Sequence, residues 1–347
     1  MTELFSAKKI FNPLGNDVAE QRTIIKGNTT GLFNLNNTKY ARAKSLYTIM
    51  IGNFRVPEKV SGLNEDSICY DQGLTDAERR AYDGILSFLI FLDSIQTVNL
   101  PHFSDYITAP EVNLLLAIQT YQEAIHSQSY ATILESIVDS SQRDAIYYFW
   151  RDNKILLDRN TFIWQIYQDF IDTPNDETFF KWLIGNFLLE SLYFYNGFAF
   201  FDTLAEREQM KATGRMINYI RRDELTHVTL FAQIFKEIKK EFPHMWNEEL
   251  IYDMFRVAVE QEITRSQFIL KNDIIGINDH STELYTKWLA NNRLDMLWLA
   301  PLFPEVSENP YKHLDRMQEN NLERWNFFES TVANYTQSSS LKGTWDF

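Results

Sequence analysis

A carboxylate stands inside the most apolar stretch of this chain, Phe187-Leu188-Leu189-Glu190-Ser191-Leu192-Tyr193-Phe194. A helix that is apolar nearly all round belongs at the centre of a bundle. An unpaired carboxylate in such surroundings is strongly destabilising. Whatever fold buries this segment must therefore bring a cation or a proton to Glu190. The rest of the chain is suited to building helices around it. Gly and Pro together make up 21 of 347 residues, roughly half the usual combined share of ~12%. So few turn formers argue against a meander of short strands and for long helices.

Charge and cysteine content narrow the class further. The formal net charge is −14, which argues against a nucleic-acid binder, since phosphate contacts need clustered Lys and Arg. The single cysteine, Cys69, allows no intrachain disulfide and no all-thiolate metal cluster. It points to a reducing compartment, most simply the cytoplasm. The opening MTELFSAKKI lacks the apolar core of a signal peptide. The longest strongly apolar run, residues 85–92, falls far short of the ~20 needed to cross a bilayer, so no membrane association is expected.

Residues 1–36 are polar and read as an extended N-terminal arm, 37–330 as one helical domain, and 331–347 as a flexible C-terminal tail. Within the domain, helical patterning predicts a first helix over 39–53, ended by Pro57. Thr75 followed by Glu78 predicts a capped helix start, with a break at Pro101. Pro110-Glu111 opens a helix to about Val138. Further helices are expected over 143–155, 159–172, 178–204, 207–239, 247–271 and 281–298.

On these helices lie two Glu-x-x-His pairs, Glu123/His126 and Glu224/His227. Positions i and i+3 share a helix face, so each pair presents one carboxylate and one imidazole together. A third match, Glu241/His244, contains Pro243 and cannot hold that geometry. Asp93, in Ile90-Phe91-Leu92-Asp93-Ser94-Ile95, is a second acid in apolar surroundings. Taken singly, Glu190 or Asp93 would be served equally by a buried Arg or Lys. Together, the order Asp93, Glu123/His126, Glu190, Glu224/His227 matches the ligand pattern of ferritin-like dimetal bundles. Four carboxylates balance two divalent cations, and oxygen and nitrogen ligands without thiolates suit iron or manganese. Asp223 and Gln96 are the expected hydrogen-bond partners of the two histidines.

Longer segments around these residues resemble a known family. Glu123-Ala-Ile-His126-Ser-Gln-Ser-Tyr130, Arg222-Asp223-Glu224-Leu-Thr-His227 and Leu92-Asp93-Ser94-Ile95-Gln96 resemble segments of the small, radical-generating subunit of class I ribonucleotide reductase. Leu189-Glu190 through Phe194-Tyr195-x-Gly197-Phe198 is similar to that family's third-helix pattern. The resemblance runs from about residue 8 to the C-terminus. It implies an all-α, ferritin-like homodimer holding two metal ions per subunit. Iron is the first expectation, with manganese or a mixed pair as alternatives. The oxidant made there, on a tyrosine or on the metals, would serve a separate large subunit that reduces ribonucleotides.

The resemblance also implies roles for individual residues. Tyr130, one turn beyond His126, matches the radical tyrosine, with Phe194, Phe198 and Ile220 matching its apolar pocket. Asp223 counts with Tyr130 as a catalytic residue, the tail residue Tyr335 matches a step of the radical relay, and Trp345-Asp346-Phe347 matches the segment that docks on the large subunit. One position departs: Arg55 stands where the family usually carries a tryptophan of that relay. Two other readings follow from this set of residues. One is a dimetal oxidase or oxygenase acting on a small organic substrate, and the other is a catalytically impaired relative, with Arg55 as its support.

Overall fold

The computed structural model describes residues 5–312, and these form an all-α assembly. Eleven α-helices follow one another: α1 Arg42–Gly52, α2 Leu63–Gln72, α3 Asp76–Ser104, α4 Pro110–Ile137, α5 Ser140–Asp152, α6 Lys154–Asp172, α7 Asp176–Leu188, α8 Tyr195–Glu206, α9 Lys211–Glu241, α10 Glu248–Leu270 and α11 Asp279–Met296. The most extensive packing joins α3 to α4, and α7 to α9 close the bundle around them. Tyr335, Trp345 and Phe347 lie outside the described residues.

Local chemistry sets most helix boundaries. Thr75 and Glu78 exchange side chain to backbone hydrogen bonds, the Glu78 carboxylate accepting from Thr75 N–H and Thr75 Oγ1 from Glu78 N–H. Pro110 occupies the first turn of α4, where its missing N–H is no loss. Asn153 divides the region into α5 and α6, its side chain accepting from Leu156 N–H. The short helix α2 is not visible in the sequence, because Leu63–Gln72 has no clear apolar period.

Two expectations are corrected. Pro101 does not end α3, which continues to Ser104. Proline's fixed φ suits a helix, and so near the C-terminus it removes a single ladder bond. The helix expected over 178–204 is instead interrupted by a π-helical turn, Leu189–Tyr193, which holds Glu190. A π turn admits one extra residue and re-aims the side chains around it.

The segment before α1 crosses the ends of the bundle rather than standing away from it. Phe5, Ile24 and Ile25 are buried, Ile25 forms a β-bridge with Ile107, and Arg22 makes a buried ion pair with Glu111 at 2.8 Å. Among the described residues, α3 is long and apolar enough to cross a membrane by length and composition alone. Two thirds of its most apolar window (67%) is buried against other helices, as befits a core helix. Glu241 and His244 face different partners, Lys39 and Tyr40 for the acid and Asp176 for the imidazole. That match to Glu-x-x-His is a coincidence of sequence.

Candidate metal centre

Four elements deliver six side chains to one point. Asp93 comes from α3, Glu123 and His126 from α4, Glu190 from the π turn, and Glu224 and His227 from α9. All six are completely buried. They form two overlapping sets, Asp93/Glu123/His126/Glu224 and Glu123/Glu190/Glu224/His227, with the candidate ligand atoms of each set lying within 4.8 Å of one another. Glu123 and Glu224 belong to both.

The imidazole nitrogens show what such a site is built to hold. His126 Nδ1 lies 2.9 Å from Asp93, 3.0 Å from Glu224 and 3.4 Å from Glu123. His227 Nδ1 lies 2.8 Å from Glu224, 3.1 Å from Glu123 and 3.3 Å from Glu190. A single N–H can serve one acceptor well, not three. Asp93 Oδ2, Glu224 Oε1 and both oxygens of Glu123 accordingly receive no well-directed hydrogen bond although buried. Buried carboxylate oxygens left in that state are strongly destabilising. Three acids and one imidazole nitrogen converging with at most one proton among them fit a cation, and the set occurs twice. The residues present therefore fit two divalent metal ions of oxygen- and nitrogen-preferring type.

The opposite edges of both rings are fixed. His126 Nε2 is 3.1 Å from Asp223 Oδ2, and His227 Nε2 is 3.0 Å from Gln122 Oε1. With Nε2–H donating outward, each Nδ1 presents its lone pair to the cluster, the arrangement expected of a metal-binding histidine. Asp223 thus takes the position expected of it, whereas Gln96 does not. Gln96 donates to Glu190 Oε1, as Gln119 does at 2.7 Å, and neither touches a histidine. The residues missed by sequence reasoning are Gln119 and Gln122. Their signal was the spacing of Gln119, Gln122, Glu123, His126 and Tyr130 along one face of α4.

The electrostatics follow from burial and crowding. Burial, and then the neighbouring acids, pushes the Asp93 and Glu190 carboxyls far above the usual range. Burial also acts on Glu123 and Glu224, yet the two imidazoles outweigh it and hold both below their ordinary values. The surrounding carboxylates in turn raise His126 and His227 despite burial. Asp223 is held low because its bonds to His126 and the charge of Arg55 overcome burial.

Tyr130 lies in the same core, completely buried, and its hydroxyl has no well-directed hydrogen-bond partner. Burial first, then the charge of Asp93, pushes that hydroxyl well above its ordinary value. Phe194, Phe198 and Ile220 are all buried, the two rings stacking at 5.7 Å. Arg55 is not adrift at its unusual position. It forms an ion pair with Asp223, so that Arg55, Asp223 and His126 make a continuous chain from near the surface to the cluster. Beside it, a cavity of about 150 Å³ between Phe54 and Tyr121 reaches Asp223 and Gln122.

Comparison with known proteins agrees with this geometry. The family model for the ribonucleotide reductase small chain matches residues 32–310. Ribonucleoside-diphosphate reductase subunit beta of Treponema pallidum is 39% identical over 97% of both chains. That of Halalkalibacterium halodurans is 33% identical over 98% of this chain and 99% of its own. The solved R2 subunit of ribonucleotide reductase from Clostridium botulinum is 45% identical and superposes with a TM-score of 0.87, covering 91% of this chain and 99% of that one. The chain belongs to the ribonucleotide reductase small chain family and is a small subunit of ribonucleoside-diphosphate reductase, an oxidoreductase.

Proposed function

We propose that the buried cluster holds two metal ions, iron in the first instance, and that Tyr130 stores the oxidising equivalent they generate. The observation that carries this reading is the threefold crowding of carboxylates around each Nδ1. Asp93 and His126 would hold one ion and Glu190 and His227 the other, with Glu123 and Glu224 shared. When bound, such a pair supplies the reaction with oxygen that yields a one-electron oxidant. The protein's part is to lodge that oxidant where water and reductants cannot reach it.

Tyr130 suits that part. A phenol that loses an electron must also shed its Oη proton, and Asp93 is the acid acting most strongly on that oxygen. Complete burial then protects the neutral radical. Gln96 and Gln119 orient Glu190, Gln122 orients His227, and Asp223 orients His126. We further assign homodimer formation, a cytoplasmic setting, docking on the large subunit through Trp345 and Phe347, and relay through Asp223 and Tyr335. The cavity of about 150 Å³ touches none of the six ligands and is smaller than the ~300 Å³ at which organic-ligand pockets begin, which gives the oxygenase reading no support.

The test is electron paramagnetic resonance after aerobic activation of the metal-loaded protein. A tyrosyl signal is expected in the wild type and none in Tyr130→Phe, with both variants holding equal metal. An active Tyr130→Phe protein with a metal-centred oxidant would remove the tyrosine from the scheme.

A further inference from the structure

The surface above Asp223 carries a cleft of about 370 Å³ between the turn Pro57–Lys59 and the first half of α9. Arg55, Lys59, Arg215 and Arg222 line it, and no Asp or Glu does. In a chain of net charge −14, four cations gathered around one concavity run against the general balance. Arg55 is already ion-paired with Asp223, and a multivalent anion in the cleft would add to the charge balance of the group. Arg55 is the telling member. Its side chain is only 9% exposed, one nitrogen serves Asp223, and its Nε and Nη2 are buried without a hydrogen-bond partner. Those two donors are closed off from solvent, so Arg55 acts on an anion in the cleft through its charge rather than by direct hydrogen bonds.

We propose that this cleft binds a phosphate-type oxyanion, either free or carried on a nucleotide. Guanidinium forks match tetrahedral oxyanions with paired hydrogen bonds. Arg215 is already steadied by the carbonyl of Ser61, and Arg222 reaches that of Asn53 at 3.3 Å. Tyr219 forms a flat wall, with the guanidinium carbons of Arg222 and Arg55 at 5.5 and 6.0 Å from its ring centre. The cleft is larger than one phosphate needs, which leaves room for a nucleotide's further groups. An anion here draws on the same guanidinium that holds Asp223, and through Asp223 it touches the orientation of His126. The assignment rests on these residues and not on the identity of the metals.

Isothermal titration of the full-length, metal-loaded protein at low ionic strength with inorganic phosphate, and separately with ADP, tests it. One saturable site per chain is expected. Affinity should fall by about tenfold or more in Lys59→Gln/Arg215→Gln, two side chains that touch neither the metal ligands nor Asp223, and stay unchanged in the remote Lys154→Gln. Tighter binding of ADP supports a nucleotide as the source, and equal binding supports the phosphate group alone. No saturable binding of either probe, or equal affinity in the double variant, overturns the proposal. Weaker association with the large subunit in the double variant, without anion binding in the wild type, also overturns it and makes the patch a protein contact.

Discussion

Burial without full pairing is the recurring theme at the scale of single residues, and Asp83 shows it away from the metal centre. Its carboxyl accepts from the Tyr70 hydroxyl at 2.9 and 3.0 Å, but burial dominates and pushes it up to about 6. The folded protein then binds this proton more tightly than the unfolded chain does. Stability from this group is full below about pH 4 and falls as pH rises towards 6, because the charged form is the disfavoured one. Asp83→Asn keeps an acceptor for Tyr70 and removes the charge. It is expected to stabilise the protein by up to about 3 kcal/mol at pH 7 and by far less at pH 4, read from thermal unfolding at both values. A gain that is equal at the two pH values would contradict the assignment. Arg55 is the converse, a cation whose partner Asp223 keeps it in place. Arg55→Gln should leave Asp223 short of a counter-charge and weaken its hold on His126, seen as a changed metal-site spectrum at unchanged overall fold.

At the scale of elements, what could be read from the sequence depended on whether the signal was local. The Thr75 capping box, the Pro110 start and the two Glu-x-x-His faces are each set by residues within one turn of each other, and each is where the pattern placed it. Glu190 was visible because an acid among apolar neighbours is conspicuous. The π turn that carries it was not, since no Gly or Pro marks Leu189–Tyr193 and the extra residue is a response to packing. The Arg55–Asp223 pair joins positions 168 apart, which no periodicity reports. Just beyond the π turn, Gly197 lets α8 approach α3 closely. A Cβ there would stand 3.0 Å from Ile85 Cγ2 and 3.3 Å from Leu89 Cδ2. Gly197→Ala should force those side chains aside and cost about 1–3 kcal/mol, measured as a lower denaturation midpoint. Since α3 also carries Asp93, a matching fall in metal affinity is expected. A variant as stable as the wild type would mean that the two helices separate without strain.

At the scale of the whole molecule, the proposed function has the body make the oxidant and the C-terminal tail deliver it. No proposed ligand lies beyond residue 330, so removal of the tail should leave metals and radical intact. It should abolish turnover with the large subunit, because the proposed docking would bury Trp345 and Phe347, worth roughly a few kcal/mol. Tyr335→Phe should keep docking and block turnover, since phenylalanine is too hard to oxidise. Normal turnover in that variant would show that the relay bypasses the tail, and Arg55 would then belong to a different route. All of this stands on the cluster itself, and anaerobic titration of the metal-free protein with ferrous iron addresses it most directly. The account predicts two equivalents bound per chain, one for each ligand set, and loss of at least one in Glu190→Ala. Wild-type metal content with normal oxygen reactivity in Glu190→Ala would contradict it.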